Sequence, residues 1–324
     1  MNLAFLRDAR RPSGWRGAAL VAFGAFMAGA ALFVGYKSRQ VERRHPPLGQ
    51  LIEVDGVRLH YVERGQGQPL VLIHGEGTMV QDFAISGLID LAATRYRVIA
   101  FDRPGYGYSD RPRGRVWGPE AQAELLYKAL QELGIDRPVV AGHSWGTLVA
   151  AAMALQHPAY VKSVVLVSGY YFPTFRADVP VLSAPALPII GRLVRHTVSP
   201  LLGRLMWRRM IARLFAPSVV PSRFSEFPVW MALRPSQLRA SAADSALLIP
   251  AALWWKRRYR QLVMPVMIVA GAEDRYIDTK EQSMRLHQEL PRSQLRLVPG
   301  AGHMVHQTAP RQVFAAVESV ANSA

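Results

Sequence analysis

Residues 139–149 read VVAGHSWGTLV, and the two glycines that bracket Ser144 decide how the surrounding chain must fold. An apolar run ends on the serine, and a helix-like stretch, TLVAAAMALQHP, begins just after it. A side chain held at the top of a very sharp strand-to-helix turn needs neighbours without Cβ atoms, and Gly142 and Gly146 supply them. Read this way, Ser144 is a nucleophile at the carboxyl end of a strand. Alone, the G-x-S-x-G spacing recurs by chance, so the reading depends on partners elsewhere in the chain.

Working outward, short apolar runs alternate with helical stretches. PLVLIHG (69–75), YRVIAFD (96–102), RPVVAGHS (137–144), VKSVVLVSG (161–169), PVMIVAG (265–271) and SQLRLVPG (293–300) are the strand candidates. Strands apolar on both faces and separated by helices predict a parallel sheet covered on two sides. Before them, LIEVDGVRLHYVERG alternates around Asp55-Gly56 and predicts an antiparallel hairpin. The expected class is α/β, a doubly wound, mostly parallel sheet built from residues 46–170 and 263–324. A helical cap insertion at 171–262 divides it, and an amino-terminal segment, 1–45, precedes it.

Acyl transfer by a serine needs a nucleophile, an imidazole base oriented by a carboxylate, and donors for the developing oxyanion. Asp274 ends the apolar strand VMIVAGAED, and His303 lies in GAGHMVH after the last strand. The order Ser, Asp, His along the chain is the one this architecture demands. Two rivals remain in view: His306, three residues past His303, and Asp278, which falls beyond its strand end.

These stretches together resemble the α/β-hydrolase fold, of the broad esterase, lipase and C–C hydrolase type. LVLIHGEG, IAFDRPGYGYSDRP, VVAGHSWG, VAGAEDRYID and VPGAGHMVHQTAP occur in that family's order and cover most of 51–170 and 263–324. The insertion matches only by its position as a cap. The resemblance implies Ser144 as nucleophile, His303 as general base and then acid, and Asp274 as the group that orients His303. It implies an oxyanion hole of two backbone N–H groups, those of Trp145 and of Glu76, which follows His74-Gly75. Gly75 and Gly77 would let that backbone approach the substrate, and the Glu76 side chain need take no part. The family's Gly-His pairing selects His303 over His306. His74 and His143 are expected to be buried, hydrogen-bonded supports, and Asp102 to brace its own turn. Position 168, where some relatives carry their acid, is serine here.

Relatives that open epoxides or displace halide use a carboxylate nucleophile, so Ser144 argues against both. What remains is hydrolysis of a carboxylic ester or thioester, cleavage of a carbon–carbon bond beside a carbonyl, or cofactor-free perhydrolysis. A non-catalytic scaffold would most simply have lost a member of the triad. No cofactor is implied and no metal: no His/Asp/Glu cluster has ligand spacing, and Gly105-Tyr106-Gly107 lacks the other glycines of a phosphate loop. With no cysteine, disulfides and thiolate chemistry are excluded and the compartment stays open.

The formal charge of +16 is not spread evenly. Residues 1–45 carry eight Lys/Arg against Asp8 and Glu42, and residues 171–262 carry fourteen against Asp178, Glu226 and Asp244. The rest of the chain is nearly neutral. No nucleic-acid module accompanies this basicity, so nucleic acid is not an expected partner. Gly17 to Tyr36 is 20 residues without a charge, long enough as a helix to cross a bilayer. An uncleaved single-pass anchor is favoured over a signal cleaved near Ala28-Gly29-Ala30, which lies inside the apolar run. Arg7, Arg10, Arg11 and Arg16 precede the run and Lys37, Arg39, Arg43 and Arg44 follow it, so the positive-inside rule is nearly silent, and the short basic tail favours a hydrolase body outside the cytoplasm. SRQVERRHPPLGQ (38–50) reads as a charged tether broken by Pro46-Pro47.

Within the insertion the best helix candidate is Leu201 to Phe215. Met206, Trp207, Met210, Ile211 and Leu214 form one stripe, and Arg204, Arg208, Arg209 and Arg213 oppose it. The favoured reading packs that stripe onto the core as a lid, with the arginines solvated. The sharper alternative turns the arginines toward anionic lipid beside the anchor.

Overall fold

In the computed structural model, which describes residues 14–323, Asp55 and Gly56 both take left-handed backbone angles, φ 50° and 72°. That is the turn that lets two twisted strands pair directly. It joins β1 (Gln50–Val54) to β2 (Val57–Arg64) in an antiparallel hairpin. β3 (Gln68–Ile73), β4 (Tyr96–Phe101), β5 (Val139–His143), β6 (Ser163–Val167), β7 (Val266–Gly271) and β8 (Gln294–Val298) follow, within the apolar runs. They make one eight-stranded sheet in the order β1-β2-β4-β3-β5-β6-β7-β8, parallel from β4 to β8. The central strands are buried on both faces because helices cover both. Pro119–Glu132 and Gly146–Gln156 pack on one side, and Val80–Ser86, Leu88–Ala93 and Pro310–Ala321 on the other.

The chain from Val179 to Gln261 forms helices joined by short turns, with no strand, and leaves the sheet between β6 and β7. Its helix Val198–Phe215 corrects the expected lid stripe. Ile211 and Phe215 point inward, and Trp207 stacks on Phe227. Met206 and Met210 face outward, 53% and 45% exposed, beside Leu202 and Leu205. Both sides of the helix are apolar enough that periodicity alone did not separate them. Ile189, Ile190 and Leu193 on the preceding segment are exposed as well.

The amino-terminal helix runs from Gly14 to Arg44, so Ser38–Arg44 is helix and not an extended tether. Nothing in that stretch breaks a helix until Pro46, which also disfavours helical angles at the residue before it. Ala30, Val34 and Val41 are buried along one stripe, and the Phe33 ring meets Trp230 of the cap edge-on at 5.9 Å. Residues 17–44 are otherwise largely exposed, and the helix is long and apolar enough to cross a membrane. Arg7, Arg10 and Arg11 lie outside the described residues.

Candidate active site

Ser144 sits between β5 and the helix Gly146–Gln156 with φ at +52°, a conformation a side-chain-bearing residue rarely adopts. The turn has room only for glycines on either side. A Cβ on Gly142 would collide with the Gly146 carbonyl, and one on Gly146 with the Ile73 carbonyl of β3. The strained angle lifts the hydroxyl above the end of the sheet.

The structure brings Ser144, His303 and Asp274 into one series. Ser144 Oγ–H donates to His303 Nε2 at 3.0 Å, and His303 Nδ1–H donates to Asp274 Oδ2 at 2.8 Å. The carboxylate at Nδ1 fixes the tautomer that leaves Nε2 free to accept. The Asp274 Oδ1 atom accepts from the Tyr276 and Ile277 amides at 2.8 and 2.9 Å, which fixes the carboxylate in turn. The His303 loop is held from two sides. Its amide donates to the Leu214 carbonyl of the cap, and its carbonyl accepts from His143 Nε2 at 3.2 Å. Such a series can move the serine proton to the imidazole as the oxygen attacks a carbonyl.

Gly75 lies directly against the serine: a Cβ there would come within 3.1 Å of Ser144 Cβ. Neither the Glu76 nor the Trp145 amide donates to a protein acceptor among the described residues. His74 and His143 are buried. The His74 Nδ1–H donates to the Gly75 carbonyl at 2.7 Å, and its Nε2 accepts from the Arg103 amide at 2.9 Å. Burial, reinforced by the Arg103 charge, lowers the His74 pKa to about 4, so the ring is neutral. His143 is held neutral by burial too.

Of the rivals, His306 turns away from Ser144 and pairs with Asp82 at 2.9 Å in the interior. Asp278 is exposed and accepts from the Lys280 and Glu281 amides. Asp102 braces more than its own turn: it accepts from the Val80 and Tyr108 amides and pairs with His60 at 2.6 Å. Asp82, His143 and His306 approach one another although their sequence spacing shows nothing. Hydrogen bonds from His306 and Gln307 already occupy both Asp82 oxygens.

Two features escaped the sequence. First, the Glu76 carboxylate faces the cap helix Pro235–Trp255, where Ser241 Oγ–H and Ser245 Oγ–H donate to Oε1 at 2.9 and 2.5 Å. Burial pushes its pKa up to about 7. The i, i+4 serines were the available signal, but nothing tied them to residue 76. Second, Asp244 on the same helix binds Arg103 at 2.7 Å, Arg111 at 3.0 Å and the Tyr106 hydroxyl at 2.8 Å. Arg103 also donates to the His74 and Gly75 carbonyls at 2.9 and 3.0 Å. One buried ion-pair network therefore joins the cap to the loop beside the serine.

Residues 68–310 match the family model described as alpha/beta hydrolase fold. Among curated proteins, the chain is 28% identical over 271 residues to haloalkane dehalogenase 2 of Mycobacterium tuberculosis, covering 80% of this chain and 90% of that one. It is 30% identical over 269 residues to 2-hydroxymuconate semialdehyde hydrolase of a Pseudomonas species, covering 80% and 88%. Among solved structures, a bacterial membrane phospholipase A superposes with a TM-score of 0.66 at 22% identity, covering 96% of this chain and 98% of that one. The last likeness is one of fold, and its coverage is too wide to be met without the amino-terminal helix. The chain belongs to the α/β-hydrolase family.

Proposed function

We propose that the protein is a serine hydrolase that cleaves a carboxylic ester or thioester through an acyl-enzyme, with an apolar or membrane-partitioned substrate. The observation that carries this reading is the hydrogen-bonded series from Ser144 through His303 to Asp274. In it, Ser144 attacks the carbonyl carbon while His303 takes its proton. The N–H groups of Glu76 and Trp145 receive the oxyanion, and His303 returns the proton to the leaving alcohol. Water then repeats the sequence on the acyl-enzyme. Removal of halide, the activity in the dehalogenase relative's name, is not favoured here, since Ser144 offers a hydroxyl where a carboxylate nucleophile is expected for that reaction.

The membrane part of the proposal is supported by the helix Gly17–Arg44 and by the exposed apolar residues of the cap. A contiguous apolar surface on a protein domain marks a binding or membrane-contact site. In this reading the helix is an uncleaved anchor, the hydrolase body lies outside the cytoplasm, and the basic cap contacts anionic lipid. Carbonate washing should leave the chain in the membrane pellet; a shorter, soluble form would indicate a cleaved signal instead.

A second reading, C–C bond hydrolysis, is favoured by the name of the semialdehyde hydrolase relative. A panel of p-nitrophenyl esters against a vinylogous diketone separates the two. Preferential turnover of medium or long acyl esters supports the proposal, and preferential cleavage of the diketone supports the alternative.

A further inference from the structure

Away from Ser144, a cleft of about 360 Å³ opens where the end of the amino-terminal helix meets the loop after β4 and the start of the helix Pro235–Trp255. Four arginines line it, Arg58, Arg111, Arg234 and Arg239, with two carboxylates, Glu42 and Asp110. Three of the cations are engaged. Arg58 forks onto Asp110 at 3.0 and 3.2 Å, Arg234 pairs with Glu42 at 2.7 Å, and Arg111 reaches Asp244 at 3.0 Å. The Arg239 side chain has no hydrogen bond and no carboxylate partner among the described residues. Instead, burial and the neighbouring Arg113 and Arg111 depress its pKa. Guanidinium groups crowded together repel one another, and an oxyanion between them relieves that repulsion while matching their planar fork.

The position of the cleft narrows the choice of anion. Glu42 follows the apolar run's last residue, Tyr36, by six positions of the same helix, a rise of about 9 Å. A bilayer's headgroup layer extends roughly 5 to 8 Å beyond its hydrocarbon core. On the anchored reading proposed above, the cleft therefore opens at the outer edge of the headgroups. We propose that this cleft binds a phosphate ester, supplied as the headgroup of an anionic glycerophospholipid at the bilayer surface. Arg239 holds the phosphate oxygens, Arg111 adds its charge from its pair with Asp244, and Ser236 and Tyr108 line the remaining wall.

The test uses the full chain in neutral maltoside micelles, titrated by calorimetry with dodecyl phosphate and, separately, with glycerol 3-phosphate. Saturable binding of dodecyl phosphate is expected, weakened at least about tenfold in Arg239→Gln, the loss expected for one charge-assisted contact. Arg311→Gln, which removes an exposed arginine from the helix Pro310–Ala321, should leave binding unchanged. Equally tight binding of glycerol 3-phosphate would overturn lipid as the source of the phosphate. No saturable binding, or the same loss in both variants, would overturn the site. The measurement consumes no ester and needs no bilayer, so it stands apart from failure of the hydrolase or anchor readings.

Discussion

The sheet-borne half of the molecule and its cap follow opposite rules. In the sheet, the central apolar strands are covered on both faces, and the positively charged residues are balanced by acids. In the cap, arginines outnumber acids and large apolar side chains such as Leu205, 80% exposed, and Ile189, 85% exposed, face outward. The sheet places Ser144, His303 and Asp274 at the ends of its strands, and the cap helps to hold them, since the His303 amide donates to the Leu214 carbonyl and Arg103 pairs with Asp244. The cap leaves large apolar and cationic side chains exposed on its surface, which is the feature the membrane-contact proposal rests on. Among the contacts that join the two are the buried Asp244 pairs and the Glu76–Ser241–Ser245 hydrogen bonds.

The largest expected effect belongs to the sheet. Ser144→Ala should lower ester turnover by at least about 10³-fold, measured as steady-state kcat; a loss of only a few-fold would remove the serine from its role. Next is the joint. Asp244→Ala leaves the guanidinium of Arg103 buried without its carboxylate, and should cost about 3–5 kcal/mol of stability in chemical denaturation. A change below about 1 kcal/mol would mean that the cap is not anchored through this pair.

Glu76 sharpens the comparison further, since the proposed mechanism gives its backbone N–H to the oxyanion while its side chain is held by the cap. A carboxyl group raised to about 7 is neutral below that pH and gains its charge above it. A negative charge beside the developing oxyanion opposes it, so kcat should fall about tenfold as pH rises through about 7. Glu76→Gln should lack that alkaline decline, and an unchanged pH profile would place the carboxylate outside the reaction's field. The smallest effect is in the cap. Met206→Gln with Met210→Gln should leave stability within about 0.5 kcal/mol while reducing turnover of vesicle-borne ester relative to a dissolved one. Equal loss on both substrates would contradict a membrane-facing surface.

The same contrast governs what could be read in the sequence. The Asp55-Gly56 hairpin, the strand runs and the glycine spacing around Ser144 were legible because each is dictated by backbone sterics within a few residues. The path of the helix Val198–Phe215 was not, because apolar residues on both sides give no preference for one burial face. Ser38–Arg44 read as a tether from its charge, yet Glu42 pairs with Arg234 and Val41 packs inward, contacts set by a cap far along the chain. Asp244 looked like one acid among many arginines. Its role depends on Arg103, 141 positions earlier, and no local pattern records such a pairing.

The most direct test of the account is labelling of the full-length protein with a fluorophosphonate, read by mass spectrometry of the modified peptide. A single adduct on Ser144, lost in both Ser144→Ala and His303→Ala, is the predicted result. No adduct on the folded protein, or one that persists elsewhere when Ser144 is replaced, would contradict it.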